Sequence, residues 1–270
     1  MKILVTGSSG YVGSHLIKSL KKDGHQIDEW DHKINKDIKD IEYKHIHDVD
    51  AVVHLAAYAD VRESIKNPNK WYTNNVDYSE TIFRFCDLAF VPCVYASSSC
   101  AKVWYDSPYG TSKKAMESIA RATGKHIGLR FTNVYGDGCR STMLTQKMID
   151  KTLKYKTTHI RDFIHVLDVV DLIKLLIYRK EFFMDWTQHT YEVGSGKGVK
   201  VNELVDKYLK NIPTMSGHSG ESLDNTAIIK DTLSLGWQPK RDLDKYLKGK
   251  IHGHSKFKEY IKRILPKKLR

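Results

Sequence analysis

The sequence predicts an α/β fold built on a doubly wound parallel sheet, and three observations carry the prediction. Short apolar, β-branched runs alternate with helical stretches through the first two thirds of the 270 residues. A glycine-spaced turn, Gly7-Ser-Ser-Gly-Tyr-Val-Gly13, joins the first such run directly to the first helical stretch. Beyond residue 136 the alternation loosens, which marks a second, smaller lobe. Repeated β-α units place helices on both faces of a parallel sheet.

The elements follow in order. Residues 2–6 are apolar and β-branched, a first strand that begins at once. Residues 14–22 have helical spacing and stop at Asp23-Gly24. A second strand covers 26–30, and Ala-Val-Val-His-Leu-Ala-Ala over 51–57 reads as a buried strand. A long helix over 74–88, a strand over 93–97, a helix over 109–122 and a strand over 127–131 continue the pattern. After Gly136, residues 143–153 are helical, 163–179 pass from strand to helix, and 190–193 form a short strand ahead of the Gly-rich turn 194–198. Residues 201–211 are helical, and 213–226 are polar and loop-like.

Composition narrows the class. Hydrophobic residues make up 41% and charged residues 28%, as in ordinary soluble globules. No apolar run approaches about 18 residues, so a membrane span is not expected. The first residues are too short and too β-like for a signal peptide, and a cytoplasmic location is the expectation. Cys86, Cys93, Cys100 and Cys139 fit no zinc spacing and are expected as free thiols, with no metal site. Net charge is +12, concentrated at the end. Residues 248–270 carry nine Lys/Arg against Glu259, with Phe257, Ile261, Ile264 and Leu265 at helical spacing. The reading favoured there is a solvated terminal helix packed by its apolar stripe. Membrane surface and nucleic acid are the less favoured partners.

The glycine turn carries the first chemistry. Gly7 permits a tight turn, Gly10 lets the backbone approach a pyrophosphate, and Gly13 allows close helix–strand packing, with the helix N-terminus facing the anion. The strand–loop–helix context is the one such a motif needs. Asp31 follows the second strand, where an acid accepts from ribose hydroxyls and disfavours a 2′-phosphate, so NAD is the expected cofactor. The organisation expected is a Rossmann-type dinucleotide domain over 1–136 and 161–193, a small, reduced C-terminal substrate lobe over 137–160 and 194–247, and a basic tail helix over 248–270.

Tyr109 and Lys113 lie four residues apart in Ser107-Pro-Tyr-Gly-Thr-Ser-Lys113. Positions i and i+4 share a helix face, so phenol and ammonium point into one space. A free tyrosine ionises near pH 10, roughly, and a close cation brings it toward the working range. Together with dinucleotide binding, the pair reads as proton transfer coupled to hydride transfer.

Thr6-Gly-x-x-Gly-x-x-Gly13, His54-Leu-Ala-Ala57, Tyr109-x-x-x-Lys113 and Arg161-Asp-Phe-Ile-His-Val166, in this order, resemble the extended short-chain dehydrogenases/reductases. Within them the chain is most similar to the NAD-dependent nucleotide-sugar epimerase/dehydratase group, with the UDP-glucose 4-epimerases as nearest type. Asn74-Asn75-Val, Leu129-Arg-Phe-Thr-Asn-Val-Tyr-Gly136, Tyr191-Glu-Val-Gly-Ser-Gly196 and Leu235-Gly-Trp-Gln-Pro239 extend the resemblance over about residues 1–245.

The resemblance implies roles. Gly7, Gly10, Tyr11, Val12 and Gly13 line the pyrophosphate, Asp31 holds the ribose, and Asp37 and Ile38 flank the adenine. Leu55, Ala56, Ala57, Asn74, Ser97 and Thr132 contact the cofactor further along. Tyr109 exchanges a proton with the sugar 4-hydroxyl, and Lys113 holds the nicotinamide ribose and lowers the tyrosine pKa. A serine of the Ser97–Ser99 triplet bonds the same sugar oxygen; counting from the strand favours Ser98, counting the triplet favours Ser99. Asn133 and Arg161 hold the diphosphate region of a UDP-linked sugar. A homodimer is the family expectation.

Departures from the family pattern fall on the substrate side. Only 24 residues separate Gly136 from Arg161, where the family carries a larger insertion, and His218-Ser-Gly-Glu221 stands where it often has Arg-x-Gly-Asp. The run Ser99-Cys-Ala-Lys-Val103 lacks the carboxylate that dehydratases and decarboxylases place there. The expected activity is therefore a 4-epimerase that oxidises its sugar transiently. A 4-keto-sugar reductase or a dehydratase is the alternative, and a non-catalytic cofactor-sensing or nucleic-acid-binding protein is the alternative of another class.

Overall fold

The structure, a computed structural model, describes residues 1–124, 126–179, 183, 189–251 and 253. β1 (Lys2–Thr6) runs through the glycine turn into α1 (Tyr11–Lys22), which returns to β2 (Gln26–Trp30). α2 (Tyr43–Ile46) leads to β3 (Ala51–His54). α3 (Val61–Lys66) and α4 (Pro68–Tyr72) precede α5 (Tyr78–Leu88). A π-helical turn over Thr73–Asp77 joins α4 to α5, so the helix expected from residue 74 begins as a widened turn. β4 (Cys93–Ser98), α6 (Pro108–Thr123) and β5 (His126–Phe131) follow. The rest comprises β6 (Asn133–Tyr135), α7 (Leu144–Ile149), β7 (Ile160–His165), α8 (Val166–Tyr178), β8 (Thr190–Val193), β9 (Gly198–Lys200), α9 (Val201–Tyr208) and α10 (Lys230–Ser234).

Six strands form one sheet in the order β2-β1-β3-β4-β5-β8, every pair parallel. β2 and β3 flank β1 on opposite sides, so the order reverses at β1. In open parallel sheets such a reversal opens a crevice beyond the carboxyl ends of the strands, where ligands bind. Thr6 is level with Trp30 on one side and His54 on the other, which fixes where that crevice begins.

Each face of the sheet buries its own core. Leu16 and Leu20 of α1 pack with Val169, Leu172, Ile173 and Leu176 of α8 on one face. Ile82, Phe83 and Cys86 of α5 pack with Met116 and Ala120 of α6 on the other. A third cluster, including Tyr135, Met148, Phe163, Leu204 and Leu247, holds a small sheet of order β6-β7-β9.

The small sheet takes β7, which pairs parallel with β6 and antiparallel with β9. Ile164 of β7 still packs into the α1/α8 core, so this strand joins the small sheet to the unit around the main one. Residues 252 and 254–270 of the expected basic tail helix lie outside the described residues. Among the described residues the cysteines are unpaired, and no helix is long and apolar enough to cross a membrane.

Candidate active site

The glycine turn forms a cradle that side chains would fill. Gly7 has φ +67°, and a Cβ there would sit 2.7 Å from the Ala56 nitrogen. A Cβ on Gly13 would come within 2.1 Å of the Gly7 carbonyl oxygen. No side chain caps the N-terminus of α1, and its first turn carries no acid. Those end amides and the helix dipole suit a phosphate. Ser8 Oγ is buried in this turn with no hydrogen-bond partner. At the end of β2, the buried Asp31 accepts the Ser9 N–H at 3.1 Å and the Lys33 N–H at 2.9 Å. A carboxylate has about four lone-pair positions, so acceptors remain for ribose hydroxyls. Cradle, bare helix end and acid together fit a dinucleotide.

Several expected cofactor residues serve other contacts. The Val12 and Leu55 side chains pack against the α1/α8 core, which leaves their backbones to face the crevice. The Tyr11 hydroxyl turns to the 136–139 segment, 3.0 Å from where a Gly136 Cβ would stand. Ile38 is a core residue beside Leu4 and Trp30, and Asp37 accepts the Lys39 N–H. Thr132 donates its hydroxyl to the Val193 carbonyl at 3.2 Å. Asn74 donates to the Asn75 side-chain oxygen Oδ1; Asn75 is the fully buried member, tied to both backbone groups of Tyr58 and to Ser112 Oγ.

Behind the crevice, Thr6 and His54 are cross-strand partners. Thr6 Oγ1 accepts the Ala56 N–H and lies 2.7 Å from His54 Nδ1, while His54 Nε2 lies 2.9 Å from Ser79 Oγ. Burial, with the nearby Lys113 charge second, pulls the His54 pKa down to about 3. The imidazole is neutral and ties two strands to α5's side of the sheet.

α6 starts where Ser107 accepts the Gly110 N–H and Pro108 takes the first helical position, a start written in the sequence. At the second helical position, Tyr109 is buried, and burial raises its pKa above the usual tyrosine value, Cys100 adding to the rise. The Ser98 hydroxyl and the Arg140 charge work against that rise. Lys113 donates from Nζ to the Ala96 carbonyl at 2.7 Å, and burial lowers its pKa to about 7 against the pull of Glu117. Nζ is drawn to the Ala96 carbonyl, and Ser98 and Arg140 are the groups that oppose the rise of the phenol pKa.

The serine triplet divides. Ser97 Oγ donates to Glu117 Oε1 at 2.6 Å, and Glu117 also takes two N–H groups of Arg130 at 2.7 and 2.6 Å. Ser97 is thus turned from the cofactor contact expected of it. Ser98 accepts the Cys100 N–H and is the serine that meets Tyr109. Glu117 and Arg130 were missed in the sequence reading, although Glu117 stands one turn beyond Lys113 on the same face.

Asn133 accepts from Asn225 Nδ2 at 2.7 Å, and Asn225 in turn accepts the Asp162 N–H. Arg161 donates to the Ser222 and Ile160 carbonyls at 2.7 and 2.9 Å. Its charge acts on Cys100, which borders Tyr109. Ser98, Cys100 and Tyr109 thus gather at the carboxyl end of β4 and the head of α6, within the field of the Arg161 charge.

A parallel sheet with its switch point at a glycine cradle, and a buried serine–tyrosine pair with a lysine one turn on, define a dinucleotide-dependent enzyme of the short-chain dehydrogenase/reductase class. The family model for the NAD dependent epimerase/dehydratase family matches residues 3–194, and the chain belongs to that family. A UDP-glucose 4-epimerase of Lactobacillus helveticus is 29% identical, over 90% of this chain and 93% of its own. The structure of MoeE5 in complex with UDP-glucuronic acid and NAD is 26% identical, with a TM-score of 0.82 over 95% of this chain and 100% of that one. The NAD dependent NDP-hexosamine 5,6-dehydratase TunA, at 22% identity and a TM-score of 0.79, covers 93% of this chain and 97% of its own and shares the fold.

Proposed function

We propose that the enzyme is a nucleotide-sugar 4-epimerase of the UDP-glucose/UDP-galactose type. The observation that carries this is the pairing of Ser98 with the buried Tyr109 at the head of α6, with no carboxylate in the run 99–103. Tyr109 works as phenolate, which the Lys113 ammonium, once it leaves the Ala96 carbonyl, favours together with Ser98 and Arg140 against the burial that raises its pKa. It takes the proton of the sugar 4-hydroxyl as that carbon becomes a ketone, and returns it after the ketone has turned its other face. Ser98 holds the same oxygen by hydrogen bonding. Lys113, freed from the Ala96 carbonyl, holds the nicotinamide ribose, and Asp31 holds the adenosine ribose. Arg161 holds the diphosphate, and residues 137–160 and 194–247 supply the walls of the sugar pocket. Bound NAD supplies the reversible hydride acceptor.

The neighbours support this reading: the relative from Lactobacillus helveticus is a UDP-glucose 4-epimerase, and MoeE5 binds a UDP-sugar with NAD. The test is turnover of UDP-galactose with catalytic NAD. Conversion to UDP-glucose without net NADH is expected. Stoichiometric consumption of a reduced cofactor on a 4-keto sugar identifies a reductase instead, and loss of water from the sugar identifies a dehydratase.

A further inference from the structure

The segment 217–224 lies over the head of α6, and one carboxylate on it sits between two arginines. Gly220, at φ +81°, passes so close to Asp106 and Ser107 that a Cβ there would be 3.0 Å from the Asp106 carbonyl oxygen. Glu221 follows, its side chain 21% exposed. Its Oε1 accepts from Arg62 Nε at 3.2 Å and Nη2 at 2.9 Å. Its Oε2 faces Arg161 Nη2 at 3.9 Å and His159 Nδ1 at 3.8 Å. Arg62 stands at the start of α3, whose Ser64 Oγ accepts the Tyr109 N–H at 3.1 Å, so it borders the same site from the opposite wall.

Charge and protonation sharpen this arrangement. Guanidinium groups only donate, so His159 Nδ1, 2.8 Å from Arg161 Nη2, is the unprotonated acceptor, and burial holds this imidazole below its usual pKa. His218 lies 2.7 Å from the Tyr155 hydroxyl. Two guanidinium groups thus share the Glu221 carboxylate, with Asp224 acting on Arg161 from further off. A diphosphate carries two negative charges and presents oxygens to both forks, which one carboxylate cannot match.

The geometry points to Arg62 as the second arginine of a diphosphate clamp with Arg161, and to Glu221 as an internal anion that fills the clamp until a nucleoside diphosphate displaces it. This rests on the nucleotide-sugar reading above. Glu221 then holds both arginines in their bound positions in the free enzyme, and the ligand takes over that role when segment 217–224 swings off.

UDP is the probe, titrated calorimetrically into the NAD-loaded enzyme. Arg62→Ala is expected to weaken UDP binding roughly tenfold to a hundredfold, the loss that follows from a charged hydrogen-bond pair. Arg62→Lys recovers part of that loss, and Glu221→Gln tightens UDP several-fold because the competing anion is gone. NAD affinity stays at the wild-type value in all three, which shows that they are folded. UDP affinity unchanged in Arg62→Ala, with affinity lost in Arg161→Ala, overturns the clamp and leaves the nucleotide-sugar reading standing. Glu221→Gln binding UDP no tighter than wild type overturns the internal-anion role. Failure of the wild-type enzyme to bind UDP at all overturns the nucleotide-sugar reading itself.

Discussion

Ser97 and Ser98 are neighbours at the end of β4, yet their hydroxyls serve opposite sides of it. Ser97 lies level with Arg130 on β5 and donates to Glu117, while Ser98 bonds the Cys100 amide and meets Tyr109. Successive strand residues point to opposite faces, so one serine of such a pair can reach the phenol and the other is committed to the packing behind it.

Replacing the three serines singly separates these roles. Ser98→Ala is expected to lower kcat roughly a hundredfold, within the range for a lost proton-transfer partner, with NAD affinity unchanged. Ser99→Ala has a far smaller effect. Ser97→Ala mainly lowers stability, by about 1–2 kcal/mol, because Glu117 loses a buried donor. Equal kcat losses in Ser98→Ala and Ser99→Ala would falsify the assignment.

What was legible in the sequence was local. The glycine turn reads correctly because a tight turn and close helix packing each exclude a Cβ, and the head of α6 reads correctly because Ser107-Pro108 announces it. The strand alternation that separates Ser97 from Ser98 was also present, but it needs the strand's last residue to be known. Contacts between distant segments were not legible. Arg62 and Glu221 are 159 residues apart, and nothing local to either announces the pair. The transfer of β7 to the small sheet depends on its pairing with β9, again a distant partner. The Lys113 pKa escaped the sequence reading because the i, i+4 spacing gives direction and says nothing of burial.

Glu117 and Arg130 form a two-pronged ion pair whose side chains are 5% and 19% exposed. Removing one partner strands the other in a poorly solvated place. Glu117→Gln is expected to cost about 3 kcal/mol in denaturant unfolding. The double variant Glu117→Leu, Arg130→Met recovers most of that loss, since apolar replacement of both partners removes the stranded charge. A double variant that unfolds as readily as the single one counts against this account.

Asp31 is held by two backbone amides and keeps lone pairs for the ribose. Asp31→Ala is expected to weaken NAD binding about tenfold, the scale of one charged hydrogen bond. The same change narrows the preference for NAD over NADP, because the carboxylate that repels a 2′-phosphate is gone while Lys33 stays. Fluorescence titration with both cofactors measures this, and an NAD/NADP ratio equal to that of the wild type would count against the role.

Lys113 gives a pH signature to stability. Its folded pKa of about 7 lies below the 10.5 of the free side chain, with burial as the cause. Between those values the unfolded chain holds a proton that the folded chain has shed, so unfolding free energy rises with pH across that window. Below about pH 7 both states are protonated and the full burial penalty is present; above about 10.5 both are neutral and it is gone. The NAD-free wild type and Lys113→Met, compared by guanidinium unfolding from pH 6 to 10, isolate this effect from other titrating groups. The stability of the wild type relative to the variant is expected to be flat below about pH 7. It then climbs by on the order of a few kcal/mol toward pH 10. Two curves that stay parallel over the whole range would mean that Lys113 enters the folded interior with its proton retained.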